Sequence, residues 1–214
     1  MISNLDTDRL AVLVHEVRSP VAALSAIAGT LADGELDTVA RRELVRLAGL
    51  AARAVERIVA DAAAASIHLE SMDPVALVRD VVTAARLRGA RIALAAAPES
   101  ALSVDLDPAR LRQALDNLIT NAVVHGGHGV EISLAVRVAR TLQIDVADNG
   151  PGIPPDTLDR IFDAGERLDR ATPGTGLGLA LARSIAEGHG GTLAVVSAVG
   201  AGTTFTISLP LPKS

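Results

Sequence analysis

Residues 107–122 read Asp107-Pro108-Ala109-Arg110-Leu111-Arg112-Gln113-Ala114-Leu115-Asp116-Asn117-Leu118-Ile119-Thr120-Asn121-Ala122. Asp107 reads as a helix N-cap, its carboxylate accepting an otherwise orphaned backbone N–H. Pro108 suits the first helical position, where the missing N–H is not needed. A helix is therefore expected from Pro108 to Val124. Asn117 and Asn121 stand four residues apart, which places both amides on one face of it.

The chain changes period on either side of this helix. Val130 to Val138 and Leu142 to Ala147 read as strands, and in the second Leu142, Ile144 and Val146 alternate with Gln143 and Asp145. The Arg140-Thr141 turn between them implies an antiparallel hairpin. A helix is expected from Leu177 to Glu187, then two strands within Gly190 to Pro212. That uncharged run is broken by Gly200, Gly202, Thr203, Thr204 and Pro210, so it is no membrane span. Upstream, Pro74 to Arg88 reads as a helix with proline in its first turn, and Arg91 to Ala96 as a strand. The sum is an α+β sandwich with helices on one sheet face.

Turn-forming residues are sparse before this region. Residues 1–70 hold 3 of the 18 Gly and 1 of the 10 Pro, which marks a boundary near Ser66 to Asp73. Ahead of it, Leu10, Val14, Val17, Val21, Leu24, Ala28 and Leu31 recur at steps of four and three, and Leu44, Leu47, Ala51, Ala54 and Ile58 repeat the pattern. Asp33-Gly34-Glu35-Leu36-Asp37 supplies turn chemistry, so the two helices fold back as an antiparallel hairpin. A hairpin of about 60 residues buries too little surface to stand alone. Val45, Leu50, Val55 and Val59 also lie off the main seam, and a homodimer closing a four-helix bundle is expected.

Composition narrows the function classes. The chain has 214 residues, 49% apolar and 21% charged with a formal charge of −5, which suits one large or two small folded domains and not disorder. The absence of cysteine excludes disulfides, thiolate metal sites and a cysteine nucleophile, and is compatible with a reducing cytosol. Net acidity and only two aromatics, Phe162 and Phe205, argue against a nucleic-acid binder. The first residues lack a signal-peptide pattern, and no segment is expected to enter a membrane by itself.

Four groups can do chemistry. His15 lies beside the helical seam and is expected to face solvent. Pro20 sits inside a helix whose apolar pattern continues past it, at a cost of about 3 kcal/mol, a local violation expected mainly where function requires it. Ser19 shares the His15 face one turn later. A neutral imidazole is a usable nucleophile near neutral pH, and Glu16 can accept a hydrogen bond from one ring nitrogen while the other attacks.

Asn117 and Asn121 offer two amide oxygens that can hold magnesium (Mg2+) while it keeps water and phosphate; a plain surface pair is the ordinary alternative. Asp148-Asn149-Gly150-Pro151-Gly152 follows a strand, and a carboxylate there accepts from the amino group of adenine and rejects guanine. As a bare turn it is unremarkable. Gly174-Thr175-Gly176-Leu177-Gly178-Leu179 opens a helix, where glycines let backbone N–H groups approach phosphate. It is neither the dinucleotide fingerprint, since Leu179 stands where the third Gly is required, nor a P-loop.

In this order the pieces resemble the catalytic core of bacterial sensor histidine kinases, over nearly the whole chain. His15 to Pro20 is similar to the H box, Asn117 to Asn121 to the N box, and Asp148 to Gly152 to the first glycine box. Phe162 resembles the F box, and Gly174 to Gly178 the second glycine box. The resemblance implies a phosphoacceptor and dimerisation hairpin, residues 1–69, then an ATP-binding domain, residues 70–214, of the type shared with Hsp90, gyrase and MutL. It implies that ATP phosphorylates His15, that Asn117 and Asn121 hold Mg2+ and phosphates, and that Asp148 reads adenine. The segment Asp163 to Pro173 corresponds to the ATP lid, with Arg167 and Arg170 as phosphate contacts. A receiver-domain aspartate of a response regulator then takes the phosphate, and Ser19 orients water for the reverse, phosphatase step. Relatives that hydrolyse ATP carry Glu where this chain has Asn117, which favours a kinase over a free ATPase.

Two positions depart from the pattern. Val124 stands where a Lys or Arg near the phosphates is common, and Leu168 where a second aromatic is frequent. Val124 motivates an alternative, a weakly ATP-binding phosphatase or phosphotransfer scaffold; a serine kinase antagonising a sigma factor would share the ATP fold without needing the hairpin. A cytoplasmic location is expected, with signal arriving from a separate sensor subunit or from a sensor domain beyond this segment.

Overall fold

The computed structural model describes residues 4–32, 37–65, 67–98, 103–163 and 178–211. They form two compact units that divide between Ala62 and Ala63.

The first unit is a helical hairpin of α1 (Asn4–Ala32) and α2 (Thr38–Ala65), the latter running to just past the division. The connecting residues 33–36 lie outside the described residues. Asp37 caps α2, its carboxylate accepting the Ala40 N–H at 2.7 Å. Helix α1 runs through Pro20. No described side chain of either helix is fully buried: Val14 is 51% exposed, Val21 44% and Leu50 45%. The apolar pattern on these helices therefore exceeds what one hairpin covers.

The second unit is a two-layer sandwich. Its elements in chain order are β1 (Glu70–Met72), α3 (Pro74–Leu87), β2 (Ile92–Ala96), β3 (Val104–Leu106), α4 (Pro108–His125), β4 (Ile132–Val138), β5 (Thr141–Asp148), α5 (Gly178–Gly188), β6 (Thr192–Ala198) and β7 (Gly202–Pro210). Five strands form a mixed sheet in the order β2-β4-β5-β7-β6, with β2 parallel to β4 and the other pairs antiparallel. The β4–β5 hairpin turns through Ala139, Arg140 and Thr141, which lie between the paired Val138 and Leu142. Strands β1 and β3 make a separate antiparallel ribbon that the sequence pattern did not suggest.

Alternation fixes which sheet face is covered. Leu134, Val136, Leu142, Ile144, Val146, Phe205, Ile207 and Leu209 are buried beneath the helices. The opposite face is polar, and there Arg137 pairs with Asp145 at 2.7 Å while the Thr206 hydroxyl donates to the same carboxylate at 2.8 Å. Each fully buried Leu, Ile or Phe on the covered face contributes about 1.5–3 kcal/mol. The capping expectation for Asp107 holds, its carboxylate accepting the Arg110 N–H at 2.9 Å. Asp73, which the sequence reading did not name, caps α3 in the same way by accepting the Val75 N–H at 2.9 Å, with proline following each cap.

Candidate active site

Helix α4 is the platform of the site. Leu111, Ala114, Leu115, Leu118, Ile119 and Ala122 recur at three- and four-residue steps and are buried. That anchors the helix and leaves Asn117 and Asn121 half-buried to one side. The Nδ2 of Asn117 is buried and has no hydrogen-bond partner among the described residues. An unpaired buried amide donor costs about 1–3 kcal/mol, a cost that an oxygen-bearing ligand would relieve. The first residue of α5, Gly178, lies beside it; a β-carbon there would be 3.6 Å from Asn117 Cβ. The structure thus joins one half of the amide pair to the end of the second glycine run. Gly174, Thr175, Gly176 and Leu177, and with them Arg167, Leu168 and Arg170, lie outside the described residues.

At its other end α4 meets the Asp148 loop. A β-carbon on Gly150 would fall 2.7 Å from Gly126 Cα, just after α4, and 2.8 Å from the Asp148 carboxylate, so only glycine fits. The carboxylate accepts the Gly150 N–H at 2.9 Å. Burial pushes its pKa above the ordinary carboxylate value, and backbone N–H groups of Gly150 and Thr203 offset this only in part. Asp148 is therefore a poorly solvated acceptor with capacity to spare, suited to an amino or N–H donor on a ligand.

Two members of the Asp148-to-Gly152 motif, Asn149 and Gly152, hold this loop together with Ser197, which the sequence did not single out. Asn149 accepts the Glu131 N–H on its side-chain oxygen at 2.8 Å. The Ser197 hydroxyl accepts the Ile153 N–H at 2.8 Å and donates to the Gly202 carbonyl at 2.8 Å. Gly152 adopts φ +72, and a β-carbon there would lie 2.0 Å from the Ala198 carbonyl oxygen. No local signal in the sequence pairs Ser197 with Ile153, because the contact spans 44 residues.

Phe162 packs against the core and meets Phe205 edge-on, ring centroids 6.3 Å apart at 81°. The Arg183 guanidinium of α5 lies 5.6 Å from the Phe162 centroid. Phe162 thus ties the stretch that ends at Asp163 to the body of α5. His15 and Glu16 lie in α1, with their side chains outside the described residues; Ser19 is exposed on the same helix.

A divalent cation is testable against these residues. Among the described residues no group of three or more His, Cys, Asp and Glu is gathered for a metal. Asn117 and Asn121 instead offer neutral oxygens, hard donors that suit Mg2+ when water and phosphate complete its shell. The orphaned Nδ2 of Asn117 suits a phosphate oxygen. The residues fit a metal–phosphate group better than a bare ion.

Comparison with known proteins identifies the family. Residues 106–213 match the family model described as histidine kinase-, DNA gyrase B-, and HSP90-like ATPase. The chain is 33% identical over 220 residues to the adaptive-response sensory kinase SasA of a Synechococcus species, covering 94% of this chain and 58% of that relative. It is 34% identical over 228 residues to the signal transduction histidine-protein kinase AfsQ2 of Streptomyces coelicolor, covering 96% of this chain and 42% of the relative. The chain spans about half the length of the curated relatives it matches. Among solved structures, full-length ShkA in complex with AMPPNP superposes with a TM-score of 0.66 at 27% identity, covering 97% of this chain and 46% of that one. The Acinetobacter baumannii histidine kinase AdeS gives 0.57 at 25% identity, covering 93% and 98%.

Proposed function

The chain belongs to the family of histidine kinase-, DNA gyrase B- and HSP90-like ATPases and is homologous to sensor histidine kinases over almost its whole length, and from that premise we propose that it is an ATP-dependent protein-histidine kinase core. In this reading residues 1–69 form the phosphoacceptor and dimerisation part and residues 70–214 the nucleotide-binding part. The observation that carries it is the orphaned Asn117 amide beside the first residue of α5, on the same helix that ends against the Asp148 loop.

The roles follow from chemistry. Asp148 accepts from the amino group of adenine, with Gly150 and Gly152 keeping the loop narrow enough for the base and Phe162 fixing the start of the segment that follows. Asn117 and Asn121 hold Mg2+ through their oxygens and meet phosphate oxygens with their NH2 groups. When bound, the ion neutralises charge on the β- and γ-phosphates. Gly174, Thr175, Gly176, Leu177 and Gly178 bring backbone N–H groups and the positive end of α5 to the phosphates, and Arg167 and Arg170 add charge.

Glu16 holds one ring N–H of His15, and the other nitrogen attacks the γ-phosphorus in line. An N–P bond forms as the bond to the ADP oxygen breaks. The open apolar positions of α1 and α2, Val14, Val21 and Leu50 among them, support closure into a four-helix bundle by a second copy. The phosphate then passes to a receiver-domain aspartate of a response regulator, and Ser19 orients water for the reverse step. The signal comes from a sensor domain or subunit, and the assembly works on the cytoplasmic side. No helix among the described residues is long and apolar enough to cross a membrane.

One observation favours a second reading. Val124, at the end of α4, is 37% exposed and apolar where a cation would assist phosphate binding. A weakly ATP-binding phosphatase or phosphotransfer scaffold would tolerate that. Calorimetry with Mg-ATP, set beside the rate at which the chain dephosphorylates a phosphorylated receiver domain, separates the two. Micromolar binding supports the kinase; undetectable binding with fast dephosphorylation supports the scaffold.

A further inference from the structure

Asp107 and His189 join the two helices of the nucleotide site at the end away from it. The Nδ1 of His189 lies 2.8 Å from the Ile185 carbonyl oxygen. A carbonyl only accepts, so the proton sits on Nδ1 and Nε2 presents a lone pair. The Asp107 backbone N–H donates to that lone pair at 3.0 Å. A neutral imidazole therefore bridges the last turn of α5 and the N-cap of α4. The Asp107 residue is only 5% exposed, and its carboxylate accepts the N–H groups of Arg110 and His68, each at 2.9 Å. The chain just after α2, the start of α4 and the end of α5 meet at one node.

The spacing gives the node its reach. Asp107 and Asn117 are ten residues apart, and Gly178 and His189 eleven, or about 15 Å and about 16 Å of helix. The two helices run antiparallel, with Asp107 against His189 at one end and Asn117 against Gly178 at the other. The contact at the site end is a directionless van der Waals one. The hydrogen bond at the far end is steeply angle-dependent, so it adds a directional restraint on axial register to the apolar packing of the two helices.

We propose that Asp107 and His189 are a positioning pair for the nucleotide site, holding Asn117 at its working height against the start of α5. The proposal rests on the reading that α4 and α5 hold the nucleotide.

The test uses the full chain, Mg-ATP calorimetry, and the side-chain amide resonance of Asn117 in the nucleotide-free protein. His189→Ala is expected to weaken Mg-ATP binding by about tenfold, the scale of one lost hydrogen bond, and to shift that resonance. His189→Gln, whose amide oxygen still accepts from Asp107, is expected to restore most of both. Val136→Ala, a core change on β4, lowers the melting temperature without moving either readout. Should His189→Ala not fold, His189→Asn, which keeps a donor for Ile185 but does not reach Asp107, is expected to show the same losses. Unchanged affinity and resonance in the Ala or Asn variant, or equal losses in Val136→Ala, would overturn the proposal. If the wild-type chain binds no Mg-ATP, the functional reading falls, and the Asn117 resonance still decides the positioning claim.

Discussion

Gly178 abuts Asn117, such that a β-carbon at position 178 would stand 3.6 Å from Asn117 Cβ and 3.8 Å from its Cγ. These are ordinary contact distances, so Gly178→Ala is expected to fold and to gain up to about 1 kcal/mol from helix propensity. The added methyl occupies the space between the start of α5 and the amide, where a phosphate approaches in the proposed reading. Thermal melting is expected to be unchanged or higher, with Mg-ATP affinity lower by about tenfold, on the order of 1.4 kcal/mol.

Asn117→Ala separates stability from function. The lost packing of a half-buried side chain is offset by removal of an unpaired donor costing about 1–3 kcal/mol, so the denaturant midpoint is expected to move little. Nucleotide-dependent phosphorylation is expected to disappear. A large loss of stability would mean that the Asn117 amide is a structural group.

Asp148 makes affinity depend on pH. Its pKa in the fold is raised, with burial as the largest cause, so its protonated form is favoured over that in the unfolded chain. The stabilisation this confers is present below the unfolded value and lost as pH rises through the folded one. In the proposed reading adenine binding has the opposite sign, because an amino donor on the base is accepted more strongly by the ionised carboxylate. Mg-ATP affinity is expected to fall as pH drops through the raised pKa, and Asp148→Asn to bind weakly at every pH. Calorimetry across that window checks both.

Gly152→Ala should be among the most damaging single changes. Position 152 has φ +72, and a β-carbon there would sit 2.0 Å from the Ala198 carbonyl oxygen. Left-handed strain costs about 1–2 kcal/mol and overpacking typically a further 1–3. A denaturant midpoint near that of the wild type would contradict the geometry.

What was legible in the sequence follows the length and regularity of each signal. Helix α4 was readable because a capping Asp, a first-turn Pro and a run of apolar residues agree; it extends one residue past the expected end, to His125. Strands β1 and β3 were not, since three residues apiece show too little alternation and pair only across the 31 positions that separate them. Asp148 was recognisable as an acceptor after a strand, but its shifted pKa depends on burial, which spacing does not reveal. Phe162 was singled out, whereas Arg183 over its ring was not, because α5 meets it only in three dimensions. His189 carried no local signal at all: its hydrogen-bond partner, Asp107, lies 82 residues earlier.

The account stands or falls on where phosphate goes. The chain is incubated with Mg-ATP labelled on the γ-phosphate, digested, and its labelled peptide mapped before and after acid treatment. One acid-labile phosphoramidate on His15, absent from His15→Gln, is the expected result. Acid-stable phosphate on a hydroxyl, or labelling that survives in His15→Gln, would contradict it.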